Sequence, residues 1–169
     1  MNYFQLYDLP ISFLPEQQQV KQKFYELSRK YHPDFYTQEN EADQSEALEN
    51  SSQVNKAYKV FQNKDETIKY VLQLKGLLEE EEKYQLPPDF LMEMMELNEQ
   101  LTDAKMDGDS SAITALRKAI ENQEREIYAP VKDIVENYEE GKTTTDQLLK
   151  IKEYYFKKKY LNRILATMQ

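Results

Sequence analysis

The 169 residues include no cysteine. Disulfides, thiolate zinc sites and iron–sulfur ligation by this chain are therefore excluded. Tryptophan is absent as well, and His32 is the only histidine. A single imidazole argues against a nitrogen-ligated metal site, so no cofactor is expected. Glycine numbers 3 and proline 6, too few turn formers for a fold of many short strands. No apolar run approaches the length needed to cross a bilayer. The opening stretch, MNYFQLYDLPISFLPEQQQ, lacks the basic start and apolar run of a secretory signal. A cytoplasmic protein with no membrane partner is expected.

Leu, Glu, Gln, Lys and Tyr are plentiful instead, with 31% of residues charged. That composition favours long helices, and the expected fold class is all-α. The net charge of −9 argues against nucleic-acid binding, because neutralising phosphates takes a basic surface. The acid is unevenly placed. Glu79 to Glu82, Asp89, Glu93, Glu96, Glu99 and Asp103 crowd one stretch, while Lys150, Lys152, Lys157, Lys158, Lys159 and Arg163 crowd the C-terminal one. Two oppositely charged helices of one bundle suit that split.

Along the chain, Tyr3 to Leu9 reads as a short apolar helix or turn that Pro10 ends. Pro15 suits the start of a helix on which Val20, Phe24, Leu27 and Tyr31 form one stripe, and Pro33 stops it, which leaves His32 and Asp34 in a loop. A second stripe, Ala47, Val54, Ala57, Tyr58 and Phe61, predicts a helix from about Glu41–Ser45 to Asn63. A shorter helix carrying Ile68, Val71, Leu72 and Leu74 ends at Gly76. The run LLEEEEKYQLPPD, with four glutamates and two prolines, reads as a linker over residues 77–88. Three helices then follow: Asp89 to about Lys105, Ser110 or Ser111 to about Tyr138 with a break or kink at Pro130, and Thr145 to about Met168. They make a three-helix bundle over residues 89–169.

The first helix of that bundle has too many apolar residues for one buried stripe. At about 100° per residue, Phe90, Met94, Leu97 and Leu101 fall together, whereas Leu91, Met92 and Met95 lie toward the other side beside Glu96 and Glu99. Such a second face is either covered by a neighbouring helix or kept for a partner. Methionine suits the partner role, since its unbranched, polarisable side chain adapts to foreign surfaces.

The tripeptide His32-Pro33-Asp34 admits three readings. As a catalytic pair, His32 and Asp34 lack a nucleophile or a second histidine. As a helix stop, His32 meets the last carbonyls and Pro33 enforces the end. As a docking loop, a rigid turn offers an imidazole and a carboxylate to a partner. Four cations on the preceding helix, Lys21, Lys23, Arg29 and Lys30, make a local positive patch on an acidic chain and would steer an acidic partner.

More than the tripeptide is recognisable. NYFQLYDLP, RKYHPDFY, SSQVNKAYKVFQN, YVLQLKG and DFLMEMMELNEQL follow one another in an order and spacing that resembles the HscB (Hsc-twenty) family, the J-type co-chaperones of iron–sulfur cluster biogenesis. The last two helices match only in length, pattern and a KIKEYYF-like core. The resemblance implies a J domain over residues 1–76 whose HPD loop, His32, Pro33 and Asp34, binds the ATPase of a DnaK/HscA-type chaperone together with Lys21, Lys23, Arg29 and Lys30. It implies that the C-terminal bundle binds an IscU-like scaffold protein through Leu91, Met92, Met95, Glu96 and Glu99, with Tyr155 adding an aromatic contact or serving in the core. Such a chain is an adaptor and not an enzyme. A J-domain adaptor for a different client carries the same loop. Three departures from the family pattern stand out: Phe35 where many J domains have lysine, Asn63-Lys64-Asp65 without the frequent proline, and Thr67 in place of a frequent arginine.

Overall fold

The structure, a computed structural model, describes Met1–Met168. It is all-helical, with no strand among the described residues. Contacts divide the chain into two compact units: Met1–Lys75 with Tyr138–Lys142, and Gly76–Asn137 with the described residues from Thr143 onward.

In the first unit, α1 (Tyr3–Leu6) is a single turn held by a capping box, in which the Asn2 side chain accepts from the Gln5 N–H and the Gln5 side chain accepts from the Asn2 N–H. Two longer helices follow, α2 (Gln17–Lys30) and α3 (Glu41–Gln62). Gln17 at the start of α2 donates to the Phe61 carbonyl near the end of α3, at 2.9 Å, so the two run antiparallel. Helix α2 starts two residues after Pro15, because Glu16 turns its carboxylate onto the Gln18 and Gln19 N–H groups and takes the capping position. Val20, Ala47, Val54, Ala57 and Phe61 close the core between them, and Phe24 stacks on Tyr58 at 4.0 Å. Helix α1 covers one end: Phe4 and Tyr7 pack on Phe61 at 5.0 and 5.1 Å, and the buried Tyr7 hydroxyl donates to the Val54 carbonyl at 2.7 Å.

Helix α4 (Lys64–Leu74) begins where α3 ends, with Asn63 as the hinge: its side chain accepts from the Glu66 N–H. Thr67 explains how this junction manages without arginine or proline. It is buried, and its hydroxyl reaches the Val60 and Asn63 carbonyls at 2.7 and 2.9 Å, tying α4 to the last turn of α3. Both carbonyls also accept a backbone N–H, so neither is orphaned if the hydroxyl goes. Thr67→Val, of the same shape, is expected to lower stability by about 1 kcal/mol, read as a lower urea midpoint at unchanged slope. Gly76 then takes a left-handed turn, φ 71°, the conformation glycine adopts without strain. Tyr138 packs edge-on against Phe13 at 5.3 Å, and Glu140 pairs with Lys75.

The second unit is built on α5 (Pro88–Asp107), α6 (Ser110–Tyr128) and α8 (Thr145–Ala166), with the one-turn α7 (Lys132–Glu136) between the last two. Pro130 divides the long middle helix read from the sequence, since it cannot donate to the preceding turn. Gly108, with φ 64°, closes α5; Asp109 caps α6 and Thr144 caps α8. Phe90, Met94, Leu101, Leu116, Ile120 and Leu161 lie in the shared core. The acidic stretch before α5 makes a turn at Glu80–Glu81 and is held against α8: Tyr84 stacks on Phe156 at 4.6 Å, and Glu82 pairs with Lys152 at 2.7 Å. That hydrogen bond holds the Glu82 carboxyl below its usual range. Of the charge split read from the sequence, this pair is a direct contact.

Candidate functional site

The HPD loop is made by two neighbouring interruptions. Helix α2 ends at Lys30, and Tyr31 folds its N–H back to the Leu27 carbonyl at 3.0 Å. His32 is extended, φ −62° and ψ 129°, as a residue before proline must be. Pro33 then opens a short 3₁₀ turn, Pro33–Tyr36, where its fixed φ fits and its missing N–H costs nothing. The loop read from the sequence is thus an ordered turn. The Asp34 N–H donates to His32 Nδ1 at 3.2 Å; the proton of the neutral ring therefore sits on Nε2. The Asp34 carboxylate lies 3.6 Å from the same nitrogen, near enough to pair with the ring once it is protonated. Two further bonds fasten the turn from either side. The Tyr36 hydroxyl donates to the Lys30 carbonyl at 3.0 Å, and Gln44 of α3 donates to the Glu39 carbonyl at 2.9 Å.

His32, Pro33 and Asp34 are all exposed. The turn holds an imidazole and a carboxylate outward on a rigid base, with no nucleophile in hydrogen-bond reach of the ring. On α2, Lys21 and Arg29 are exposed and two turns apart on one face. Lys30 is exposed too, its ammonium 5.2 Å from the Tyr31 ring centre. Lys23 is half-buried and 4.0 Å from Glu26, so its charge is the most locally balanced of the four.

On α5 the two faces part as the helical wheel requires. Phe90, Met94 and Leu101 are buried and Leu97 is half-buried against them. Met92 and Met95 are 69% and 64% exposed, with the exposed Glu96 and Glu99 beside them at positions i+4 and i+7 from Met92. Leu91 sits at the flank of this face, half-buried, and lines a groove with Leu86, Phe156 and Tyr160. Met106 is also exposed, about four turns beyond Met92 on the same face; its 14-residue spacing from Met92 is the signal a longer wheel reading would have caught. Tyr155 does not join that face. It is 8% exposed and edge-on to Phe156 at 5.2 Å, a buried place on α8 and not a surface one.

Comparison with known proteins decides what these two sites belong to. Residues 5–70 match the DnaJ domain, and residues 86–169 match the family described as the HSCB C-terminal oligomerisation domain. The co-chaperone protein HscB homolog of Vibrio cholerae serotype O1 (strain M66-2) is 30% identical over 154 residues, 90% of either chain.

This chain belongs to the HscB family of co-chaperones.

The HscB of Buchnera aphidicola is 39% identical over 106 residues, 62% of this chain and 61% of its own. Among solved structures, human co-chaperone protein HscB superposes with a TM-score of 0.81 at 26% identity, covering 99% of this chain and 80% of the human one. Chaperone HscB from Vibrio cholerae superposes with a TM-score of 0.76 at 25% identity, covering 99% and 95%. The HscB-family frame assigns the exposed HPD turn to a J domain. It also sets the two-faced helix α5 at the start of the family's C-terminal domain. Among the described residues, no group of acidic or histidine side chains could hold a metal ion, and no helix is long and apolar enough to cross a membrane.

Proposed function

We propose that this chain is a cytoplasmic adaptor of iron–sulfur cluster assembly. Its J domain engages a DnaK/HscA-type chaperone through His32, Pro33 and Asp34, with Lys21, Lys23, Arg29 and Lys30 steering an acidic surface toward the turn. Its second unit holds an IscU-like scaffold protein on the α5 face of Leu91, Met92, Met95, Glu96 and Glu99. The chain makes and breaks no bond itself. By holding the scaffold, it raises the scaffold's effective concentration at the chaperone, and ATP hydrolysis there locks the chaperone onto its client. The cluster is cargo carried by the scaffold.

The observation that carries this reading is the pair of exposed methionines, Met92 and Met95, on a surface that is otherwise acidic. An apolar patch of this kind is costly to leave in water and marks a protein contact; the chemistry that fits it is an apolar surface with cations at its rim. The test is reconstitution. Purified protein, an IscU-type scaffold and the DnaK-type chaperone of the same cell are mixed, and ATP turnover is followed with each component omitted in turn. Expected is stimulation that rises further, roughly additively or more, when scaffold and adaptor are both present. Stimulation of the ATPase with no scaffold binding by calorimetry would reassign the α5 face to another client.

A further inference from the structure

Phe35 follows the HPD tripeptide directly and is 69% exposed. It is not part of the core of the first unit, and no packing need accounts for a phenyl ring at this position. Its backbone is nonetheless held in place. Its N–H donates to the His32 carbonyl at 3.0 Å, inside the 3₁₀ turn fastened by Tyr36 and Gln44, and the ring stands edge-on to the imidazole with centroids 6.3 Å apart. Beside this turn lies a groove of about 440 Å³, running from Pro33 and Asp34 past Thr37 to Leu48 of α3, and Leu48 is itself 62% exposed. An exposed phenyl ring thus stands on the turn beside His32, and a second exposed apolar side chain lies at the far end of the neighbouring groove.

A protein surface that reaches the imidazole of His32 meets Phe35 beside it, since the two ring centres are 6.3 Å apart. That continuity commits the occupant to the macromolecule engaged by the HPD turn. A ring presented on a preformed turn loses little conformational freedom on docking, and it needs an apolar recess opposite. A carboxylate placed there would be desolvated without a partner, so the same ring that attracts one ATPase surface rejects another.

We propose that Phe35 is an apolar anchor for the DnaK-type chaperone and determines which such ATPase this chain accepts. The inference rests on the chaperone-facing reading of the HPD turn. Stimulation of the partner ATPase is measured against co-chaperone concentration for the wild type, Phe35→Ala, Phe35→Leu, Phe35→Lys and His32→Gln. Phe35→Ala and Phe35→Lys raise the half-stimulating concentration about tenfold, equivalent to about 1.4 kcal/mol, while maximal stimulation and helical circular dichroism stay unchanged. Phe35→Leu recovers most of the loss, because the recess reads apolar volume. A half-stimulating concentration unmoved in Phe35→Ala, or Phe35→Lys acting as well as the wild type, overturns the anchor. The His32→Gln arm separates the two levels: full stimulation by that variant removes the underlying reading, whereas lost stimulation with Phe35→Ala silent removes only the anchor.

Discussion

His32→Gln is expected to bring chaperone ATP turnover down to its unstimulated level while leaving the helices intact. The side chain is 55% exposed and supports no core contact, so the fold does not depend on it. What is lost is the aromatic ring and the fixed outward place it gives the Nε2–H, since the amide of glutamine can donate but sits on a longer, freely rotating side chain. The turn itself survives, because the bonds from Tyr36 and Gln44 that fasten it do not involve the imidazole, and Gln still offers an acceptor to the Asp34 N–H. Stimulation should fall by at least about tenfold, corresponding to about 1.4 kcal/mol of lost coupling, with unchanged far-ultraviolet circular dichroism and thermal midpoint. Full stimulation by the variant would end the reading of this loop as a chaperone trigger. Retained fold with lost stimulation is the outcome that an ordinary helix stop does not produce, since a stop affects only stability.

The second large effect concerns α5. Replacing Leu91, Met92 and Met95 together by alanine is expected to weaken binding to an IscU-type scaffold by roughly 3 kcal/mol, in the range of a central apolar hot spot, and so raise Kd by about a hundredfold. Titration calorimetry measures it directly. The exposure of Met92 and Met95 means that their truncation opens no cavity, and alanine is the better helix former. Leu91 is half-buried, so the double variant Met92→Ala with Met95→Ala is the cleaner probe, expected to retain wild-type stability and to account for most of the loss. An unchanged Kd, or unfolding of the double variant, would show that this face is not an interface.

Much of this architecture is legible in the chain because its signals are local. Apolar spacing of three and four residues marks α2 to α5, capping residues and turn formers bracket α6 and α8, and Pro33, Gly76, Gly108 and Pro130 interrupt the helices for steric reasons that act within one turn. The same locality exposes the two faces of α5: five residues on a wheel suffice to separate Met92 and Met95 from Met94. The HPD tripeptide is equally local, and the order of the motifs around it carries the family. Less was visible where the answer depended on partners distant in sequence. Composition alone gives the segment before α5 the look of a linker, and the stacking of Tyr84 on Phe156 comes from some seventy residues away. The loop at Tyr138–Lys142 belongs with the first unit through Phe13 and Lys75, a pairing no local pattern announces.

The sequence by itself determined the helices, their breaks, the absence of thiol chemistry and the His-Pro-Asp tripeptide, because each follows from backbone sterics or residue type within a few positions. Only the tertiary structure decided which apolar side chains stay in water. Tyr155 and Met95 are both large and both lie on helices with more than one apolar face, yet the fold buries the first and leaves the second open. Burial is set by what lies opposite a side chain in space, and periodicity along one helix says which residues share a face without saying which face is covered.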